Sequence, residues 1–250
     1  MQPLEQEPEM EAFLARLVGG NISEWRGATE SQVEQIEKIA GRPLPPFYRW
    51  FLLRLGGDMG VLANPGTDFS ATTILAGYED GTFEPDPRFL IVGYSPDDVQ
   101  PLHVTYDLDY PVRNDARVGR RDAEGGPLHF RFETLREMIA WDRCVGYRIK
   151  SMPQQCSGAL IDPEKNVTSR LNPVMKALGF ESLVPTGPCC GVFERSNAAM
   201  VSWSEPDEEP EVHAFILGGQ NATDLRRTLG EIRTKSELML EISDWKPPLA

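Results

Sequence analysis

The segment Gly27–Gly60, GATESQVEQIEKIAGRPLPPFYRWFLLRLGGDMG, decides the fold of the first half of the chain. Thr29 is a good helix N-cap, and Gln32 three residues later completes the capping-box pattern. Four apolar residues then recur at helical spacing, namely Val33, Ile36, Ile39 and Ala40. Gly41 follows them, where a helix needs a left-handed residue to end. The pattern predicts a short amphipathic helix.

A second helix follows a proline elbow. Pro43 and Pro45 prevent the first helix from continuing, whereas Pro46 suits the first turn of a new helix. The apolar stripe of this helix consists of Phe47, Tyr48, Phe51, Leu52 and Leu55. The pair Gly56-Gly57 ends it. We therefore expect Tyr48, Phe51 and Leu52 to be buried against a sheet.

The ordered motif in this segment resembles the signature of the SUKH superfamily. The matching positions are Gly41, Leu44, Pro45, Tyr48, Phe51, Leu52, Gly56 and Gly57. One departure is Leu55, which stands where the family often has Asn before the Gly-Gly pair. The superfamily includes fungal Smi/Knr-type cell-wall synthesis regulators and many bacterial immunity proteins. The resemblance covers Met10–Arg143, and it implies helices packed on a mostly antiparallel sheet.

Charge is the most informative bulk property. The 250 residues contain 25 Lys and Arg against 38 Asp and Glu, a net charge of −13. Such a balance argues against binding to nucleic acid or anionic membranes, because both need positive charge. It favours a basic partner, since opposite charge speeds association. The acidic N-terminus lacks the layout of a secretory signal, so we expect a cytoplasmic protein.

Outside the helix pair, the predicted elements of the first half are short. Glu9–Leu17 is predicted to be a helix, and Thr73–Ala76 and Phe89–Gly93 to be buried strands. Asp107–Pro111 is predicted to be a turn. Phe132–Trp141 has apolar residues at helical spacing and is predicted to be a helix. Its position after the strands resembles that of the last helix of a SUKH domain.

The second half alternates helices and strands, so the sequence predicts an α+β protein of two domains. We expect a SUKH-like domain at residues 1–145, a linker region at 146–168 and a small α+β domain with a ferredoxin-like arrangement at 169–250. The predicted elements of this last domain are helix Ser169–Leu178, strands Gly191–Arg195, Met200–Ser204 and Val212–Leu217, helix Thr223–Ile232 and strand Leu238–Ile242.

No catalytic constellation stands out. The chain has no phosphate loop and no dinucleotide-binding glycine run. Its three histidines, His103, His129 and His213, lack zinc-type spacing to other ligands. A nucleophile pair of Cys190 with His213 stays open as an alternative to a structural role. We expect no metal, no cofactor and no catalytic residue.

Acidic residues cluster at predicted turns, next to aromatic residues that suit protein recognition. The predicted partner-binding residues are Tyr94, Asp97, Asp98, Asp107, Asp109, Tyr110, Asp207, Glu208 and Glu209. One basic cluster is also present, formed by Arg113, Arg117, Arg120 and Arg121. Its possible roles are contact with RNA, contact with an acidic patch on a partner, or a charged exposed turn.

The resemblance implies an immunity protein that neutralises a toxin delivered by contact-dependent or type VI secretion. The acidity agrees with a basic toxin such as a nuclease, which would be inhibited by stoichiometric occlusion. Two alternatives remain: a regulatory scaffold of the cell-wall-regulator type, and an enzyme with its site in the C-terminal half.

Overall fold

The computed structural model describes residues 7–20, 22–63, 66–97, 99, 101–122, 126–206 and 210–248. Their contacts divide them into two compact units. The first unit contains residues 7–8 and 18–136, and the second contains residues 9–17 and 137–248.

The predicted helix pair is present in the first unit. Helix α2 spans Glu30–Ala40, and α3 spans Pro46–Leu55. The capping box is complete, because the backbone nitrogen of Gln32 donates to Thr29 Oγ1 at 3.2 Å and that of Thr29 donates to Gln32 Oε1 at 2.9 Å. Gly41 takes the left-handed conformation with φ of 67° and ends α2 as expected.

Close backbone packing explains two glycines of the segment Gly27–Gly60. The chain at Arg26 pairs with Asp58, which brings Gly27 against the end of α3. A Cβ atom at Gly27 would lie 1.9 Å from the carbonyl oxygen of Leu53. A Cβ atom at Gly57 would lie 2.6 Å from the carbonyl oxygen of Gly27. The glycines are therefore required by contact between backbones.

We expect Gly27→Ala to destabilise the chain by about 1–3 kcal/mol, the usual cost of forcing an extra carbon into a packed site. Gly230→Ala is the matched control, because nothing lies within 4 Å of its added Cβ and the position is inside a helix. Alanine there should stabilise by about 0.5–1 kcal/mol. Urea unfolding of both variants measures the two effects. Equal free energies of unfolding in the two variants would contradict the close approach.

The first sheet is an antiparallel meander with strand order β1-β2-β3-β4. Its strands are β1 Phe89–Gly93, β2 Leu102–Val112, β3 Asp115–Asp122 and β4 His129–Phe132. Tyr48, Phe51 and Leu52 of α3 are fully buried, as predicted. The ring of Tyr48 meets that of Tyr106 on β2 edge to face at 5.4 Å. Helix α3 thus supplies one side of this core.

Residues 73–76 differ from their predicted strand. They lie in helix α4, Ala71–Glu79, together with their neighbours. Ser70 caps the helix by accepting a hydrogen bond from the backbone nitrogen of Thr73, and Asp68 accepts one from the Thr73 hydroxyl at 2.6 Å. Capping by these two side chains overrides the β-branched character of the segment.

The second unit contains an antiparallel sheet with strand order β10-β5-β9-β8-β7-β6. Its strands are β5 Gln154–Ile161, β6 Glu181–Ser182, β7 Cys190–Arg195, β8 Ala198–Trp203, β9 Val212–Gly219 and β10 Met239–Lys246. Helices α6, Val167–Ala177, and α7, Ala222–Ser236, contribute to the same core. The succession β5-α6-β8-β9-α7-β10 follows a ferredoxin-like order with β6 and β7 inserted before β8, but it begins with β5, which lies outside the domain predicted at 169–250.

The division of the chain differs from the predicted domains. Helix α1, Pro8–Leu17, contributes residues 9–17 to the second unit, where Arg16 pairs with Glu194 at 3.1 Å. The boundary between the units falls after Arg136, within α5, Leu135–Arg143. A π-helical turn follows at Cys144–Ile149, and β5 comes next.

The window 146–168 therefore does not form a linker along its length. Strand β5 lies between β10 and β9 and is paired with β9 over its whole length and with β10 over residues 155–161. Its Gly and Gln residues look like linker residues because their hydrogen-bond partners lie more than 50 residues away in sequence.

The described residues thus form an α+β protein with two antiparallel sheets. None of the helices within the described ranges combines the length and the apolar composition needed to cross a bilayer.

Candidate functional site

Three of the predicted partner-binding residues lie on strand β2 and not in a turn. Asp107, Asp109 and Tyr110 belong to Leu102–Val112. The antiparallel pairing of this strand with β3 is interrupted by a register shift between Asp107 and Pro111 and resumes at Pro111. The prediction of a turn at Asp107–Pro111 was wrong. Pro111 can occupy a strand here because it lies next to an irregularity of the hydrogen-bond ladder, where a missing N–H group is tolerated.

Asp107 is not available as a contact residue. It is fully buried, and it accepts two hydrogen bonds from Arg88, from Nε at 2.9 Å and from a terminal nitrogen at 2.7 Å. These bonds raise the pKa of Arg88 above its ordinary value. Asp109 is exposed but pairs with Arg42 at 3.0 Å. The expected acidic docking face at these two residues is therefore neutralised by arginines.

Around Asp107, arginine and aromatic side chains of the first unit form a continuous surface, here called the arginine–aromatic face. Its members are Arg88, Phe89, Tyr110, Arg117, Arg121 and Phe130. All four strands of the meander contribute a residue to this face, and Arg88 directly precedes β1. Tyr110 is half exposed.

Each guanidinium of this face contacts a ring within the cation–π distance of about 6 Å. The guanidinium carbon of Arg88 lies 4.8 Å from the ring centroid of Phe89 and 5.6 Å from that of Tyr110. Arg121 lies 4.3 Å from the Phe89 centroid. Phe89 and Tyr110 are therefore each shared between two arginines.

Arg117 extends the series to the far strand. Its guanidinium carbon lies 5.1 Å from the ring centroid of Tyr110 and 4.7 Å from that of Phe130. The sequence indicated Arg117 and Arg121 as part of a basic cluster. It gave no signal that Phe89 and Phe130, on other strands, complete the surface, because this depends on the register of the sheet.

The other predicted contact residues lie elsewhere. The ring of Tyr94 stacks on His103 with centroids 5.2 Å apart, so it belongs to a partly buried cluster. Asp97 is exposed and accepts a hydrogen bond from the backbone of Val99 at 2.9 Å. Four further predicted residues, Asp98, Asp207, Glu208 and Glu209, lie outside the described residues.

A cavity of about 520 Å³ lies in the second unit, where β8 ends and β9 begins. Its lining consists of Trp203, Ser204, Glu205, Pro210, Glu211, Val212 and Ala214. Both glutamates are exposed, and neither makes an ion pair with another described residue. The ring of Trp203 is held edge to face by Trp141 at 4.8 Å. We call this site the acidic cavity.

Ser204, one of the lining residues of the acidic cavity, forms a buried pair with His213. Ser204 Oγ lies 3.2 Å from His213 Nε2, and His213 Nδ1 has no hydrogen-bond partner among the described residues. Burial lowers the pKa of His213 to about 4. An imidazole with so low a pKa, and with no orienting carboxylate in the part of the chain that the structure describes, is a weak base, so the pair is poorly suited to activating a nucleophile.

The alternative pair of Cys190 with His213 is not formed, since the one hydrogen bond that the His213 ring makes to a described residue goes to Ser204. All four cysteines are buried and reduced. Burial raises the pKa of Cys144 and of Cys156 to about 12, which removes their thiolate character at neutral pH.

The first unit also contains a buried polar network that the sequence did not indicate. Asp115 accepts hydrogen bonds from the Tyr106 hydroxyl at 2.6 Å and from the backbone nitrogens of Ala116 and Arg136. The Arg136 side chain pairs with Glu7 at 2.6 Å. Burial raises the pKa of Asp115 to about 6, against an ordinary value of 3.8.

Within the ranges that the structure describes, no group of three or more His, Cys, Asp or Glu residues is arranged to hold a metal ion. A scan against protein-family models finds no matching family, and a search of the curated proteins finds no similar sequence.

Proposed function

We propose that this protein binds a basic protein toxin, such as a nuclease, and neutralises it by stoichiometric occlusion. The observation that carries the proposal is the acidic cavity, which combines an aromatic ring with two carboxylates that lack ion-pair partners among the described residues.

The chemistry of the acidic cavity suits a cationic side chain. A Lys or Arg side chain entering it meets the carboxylates of Glu205 and Glu211 and the ring of Trp203. Carboxylates give charge-assisted hydrogen bonds, and tryptophan is the best ring for a cation–π contact. Apolar atoms of Pro210 and Val212 suit the methylene stem of such a side chain.

The charge of the whole chain supports the same partner. A net charge of −13 attracts a basic protein over long distances and raises its association rate. The predicted acidic segment Asp207–Glu209 lies between two lining residues in the sequence, Glu205 and Glu211. Long-range attraction and a local receptor for a cation thus favour the same class of protein.

The resemblance to the SUKH superfamily supports the biological role, because many of its bacterial members are immunity proteins. Occlusion requires contact residues rather than catalytic ones. The properties of the Ser204–His213 pair agree with this, since a His213 pKa of about 4 makes it a weak proton acceptor.

The test is survival of cells that express a toxin encoded next to this gene. The double variant Glu205→Gln, Glu211→Gln removes both carboxylates of the acidic cavity and keeps its shape. We expect at least about tenfold weaker binding, because truncating a charge pair that is desolvated on binding costs about 2–5 kcal/mol, and we expect protection to be lost.

The matched control is Glu34→Gln, Glu84→Gln, which changes the net charge equally at two exposed glutamates outside the acidic cavity. Protection should persist in it. Equal protection by both double variants would reject the acidic cavity as the toxin site. Absence of protection by the wild-type chain, with binding to cell-wall signalling proteins instead, would favour the regulatory scaffold.

A further inference from the structure

We propose that His103 is a pH-sensitive latch, which holds the chain after β1 against β2 at neutral pH and releases it in acid. The latch is the hydrogen bond that the backbone nitrogen of Ser95 donates to His103 Nδ1 at 3.0 Å. Ser95 begins the segment that carries Asp97, a predicted partner contact, so the latch controls how that acidic residue is presented. This inference does not depend on the function proposed above.

The His103 ring is held in one place by its neighbours. His103 is 1% exposed, and Ser95 is also buried, so water does not readily replace either partner of the bond. The ring of Tyr94 stacks on the imidazole at 5.2 Å, and that of Phe83 meets it edge to face at 5.1 Å. The backbone of Tyr94 is itself anchored by two hydrogen bonds with the backbone of Asp68, at 2.7 and 2.8 Å. The imidazole therefore has little freedom to turn away from Ser95.

The direction of this hydrogen bond makes it sensitive to protonation. A backbone amide can only donate, so His103 Nδ1 accepts and the neutral ring carries its hydrogen on Nε2. Protonation adds a hydrogen to Nδ1, and two N–H groups then face each other. The bond is lost, and the N–H group of Ser95 is left buried without its acceptor, which is unfavourable.

The other buried histidine does not have this property. His213 is bonded through Nε2 to the hydroxyl group of Ser204. A hydroxyl group can donate or accept, so it can turn and keep the bond when the imidazole gains a proton. The third histidine, His129, is exposed. His103 is thus the histidine whose partner cannot reverse its role.

Electrostatics places the release on the acid side of neutrality. The titratable and charged groups on the neighbouring elements are Tyr78, Tyr94, Arg120, Arg121 and Asp122. Burial lowers the pKa of His103 below its ordinary value of 6.5; Asp122 opposes this shift and Arg120 adds to it. The unfolded chain therefore takes up this proton at a higher pH than the folded chain. The stabilisation by the latch is complete above about pH 6.5 and is lost as the pH falls through the lower pKa of the folded chain.

The experiment uses the full chain labelled with ¹⁵N and follows two NMR signals between pH 7 and pH 4. The side-chain nitrogen shifts give the tautomer and protonation state of each histidine. We expect His103 to carry its hydrogen on Nε2 at pH 7. The second signal is hydrogen exchange of the Ser95 amide, whose protection factor should fall about tenfold as His103 is protonated, as the loss of one buried hydrogen bond allows. The amide of Ala28, which donates to Leu52 in the same unit, is the reference for global unfolding.

Two variants separate the latch from other effects of acid. His103→Asn places an amide oxygen that does not titrate near the position of Nδ1, so the protection of Ser95 should stay constant with pH. His213→Asn is the matched control at the other buried histidine and should keep the fall seen in wild type.

Four results would each overturn the proposal. They are a hydrogen on Nδ1 of His103 at pH 7, unchanged protection of Ser95 in wild type while His103 is protonated, an equal fall at Ala28, and a fall in His103→Asn equal to that in wild type. If His103→Asn does not fold, the wild-type signals decide the question by themselves.

Discussion

Phe51→Ala should destabilise the chain by about 3–5 kcal/mol, the usual cost of truncating a buried phenylalanine. Phe51 is fully buried on α3, its ring meets that of Phe69 edge to face at 5.9 Å, and it stacks near Tyr48 at 6.4 Å. Alanine removes these contacts and leaves a cavity in the core. Urea unfolding followed by circular dichroism measures the change.

Val61→Ala is the control for this prediction, because Val61 is half exposed and its truncation should change stability by less than about 0.5 kcal/mol. A melting temperature of Phe51→Ala equal to that of wild type would show that α3 is not packed as described.

Asp115→Asn should alter the dependence of stability on pH. In the unfolded chain the Asp115 carboxyl group loses its proton near pH 3.8. In the folded chain burial raises its pKa, so the group keeps the proton up to about pH 6. Between these values the folded state binds more protons, so this group makes the protein less stable as pH rises. The full effect is about 3 kcal/mol, at 1.36 kcal/mol for each unit of a pKa difference between 3.8 and about 6.

The variant itself should be less stable, because an amide cannot accept all three hydrogen bonds that the Asp115 carboxylate accepts. The diagnostic quantity is the difference between wild type and variant. It should shrink by about 1.4 kcal/mol between pH 5 and pH 8, since only wild type loses stability from this titration. The control is Asp109→Asn, which removes an exposed carboxylate. A difference for Asp115→Asn that is constant with pH would contradict the assigned pKa.

Local signals predicted the helix pair well. The capping box joins Thr29 to Gln32, and the left-handed Gly41 donates to Lys38, so both ends of α2 depend on partners only three residues away. Helices α6 and α7 and strands β7 to β10 were predicted for the same reason, with ends that differ by up to four residues, whereas the short strand β6 was not predicted. Turn and cap residues can be recognised from the sequence alone. Asn221, which accepts a hydrogen bond from the backbone nitrogen of Asp224, is an example.

Features set by distant partners were not predicted. Asp107 looked like an exposed turn residue, because its partner Arg88 lies 19 residues away. Strand β5 looked like a linker, because β9 and β10 come much later in the chain. Helix α1 was predicted correctly as a helix, but its membership of the second unit depends on contacts such as that of Arg16 with Glu194.

The candidate sites were also predicted only in part, because they too depend on residues that are distant in sequence. The acidic segment and Trp203 were visible in the sequence, but the acidic cavity forms only where β8 and β9 diverge. The basic cluster was visible as Arg117 and Arg121. Its interleaving with Phe89 and Tyr110 requires the register of the meander, in which Asp107 lies opposite both Phe89 and Arg117.

The central claim is that the protein acts by binding one basic partner at the acidic cavity. The most direct measurement is isothermal titration calorimetry of the purified chain with the purified product of the adjacent gene, repeated with Glu205→Gln, Glu211→Gln. We predict one partner per chain, with a dissociation constant on the order of nanomolar, as for other stable complexes of standard interface size, and binding at least about tenfold weaker in the double variant. No heat of binding with wild type, or the same dissociation constant for both proteins, would contradict the claim.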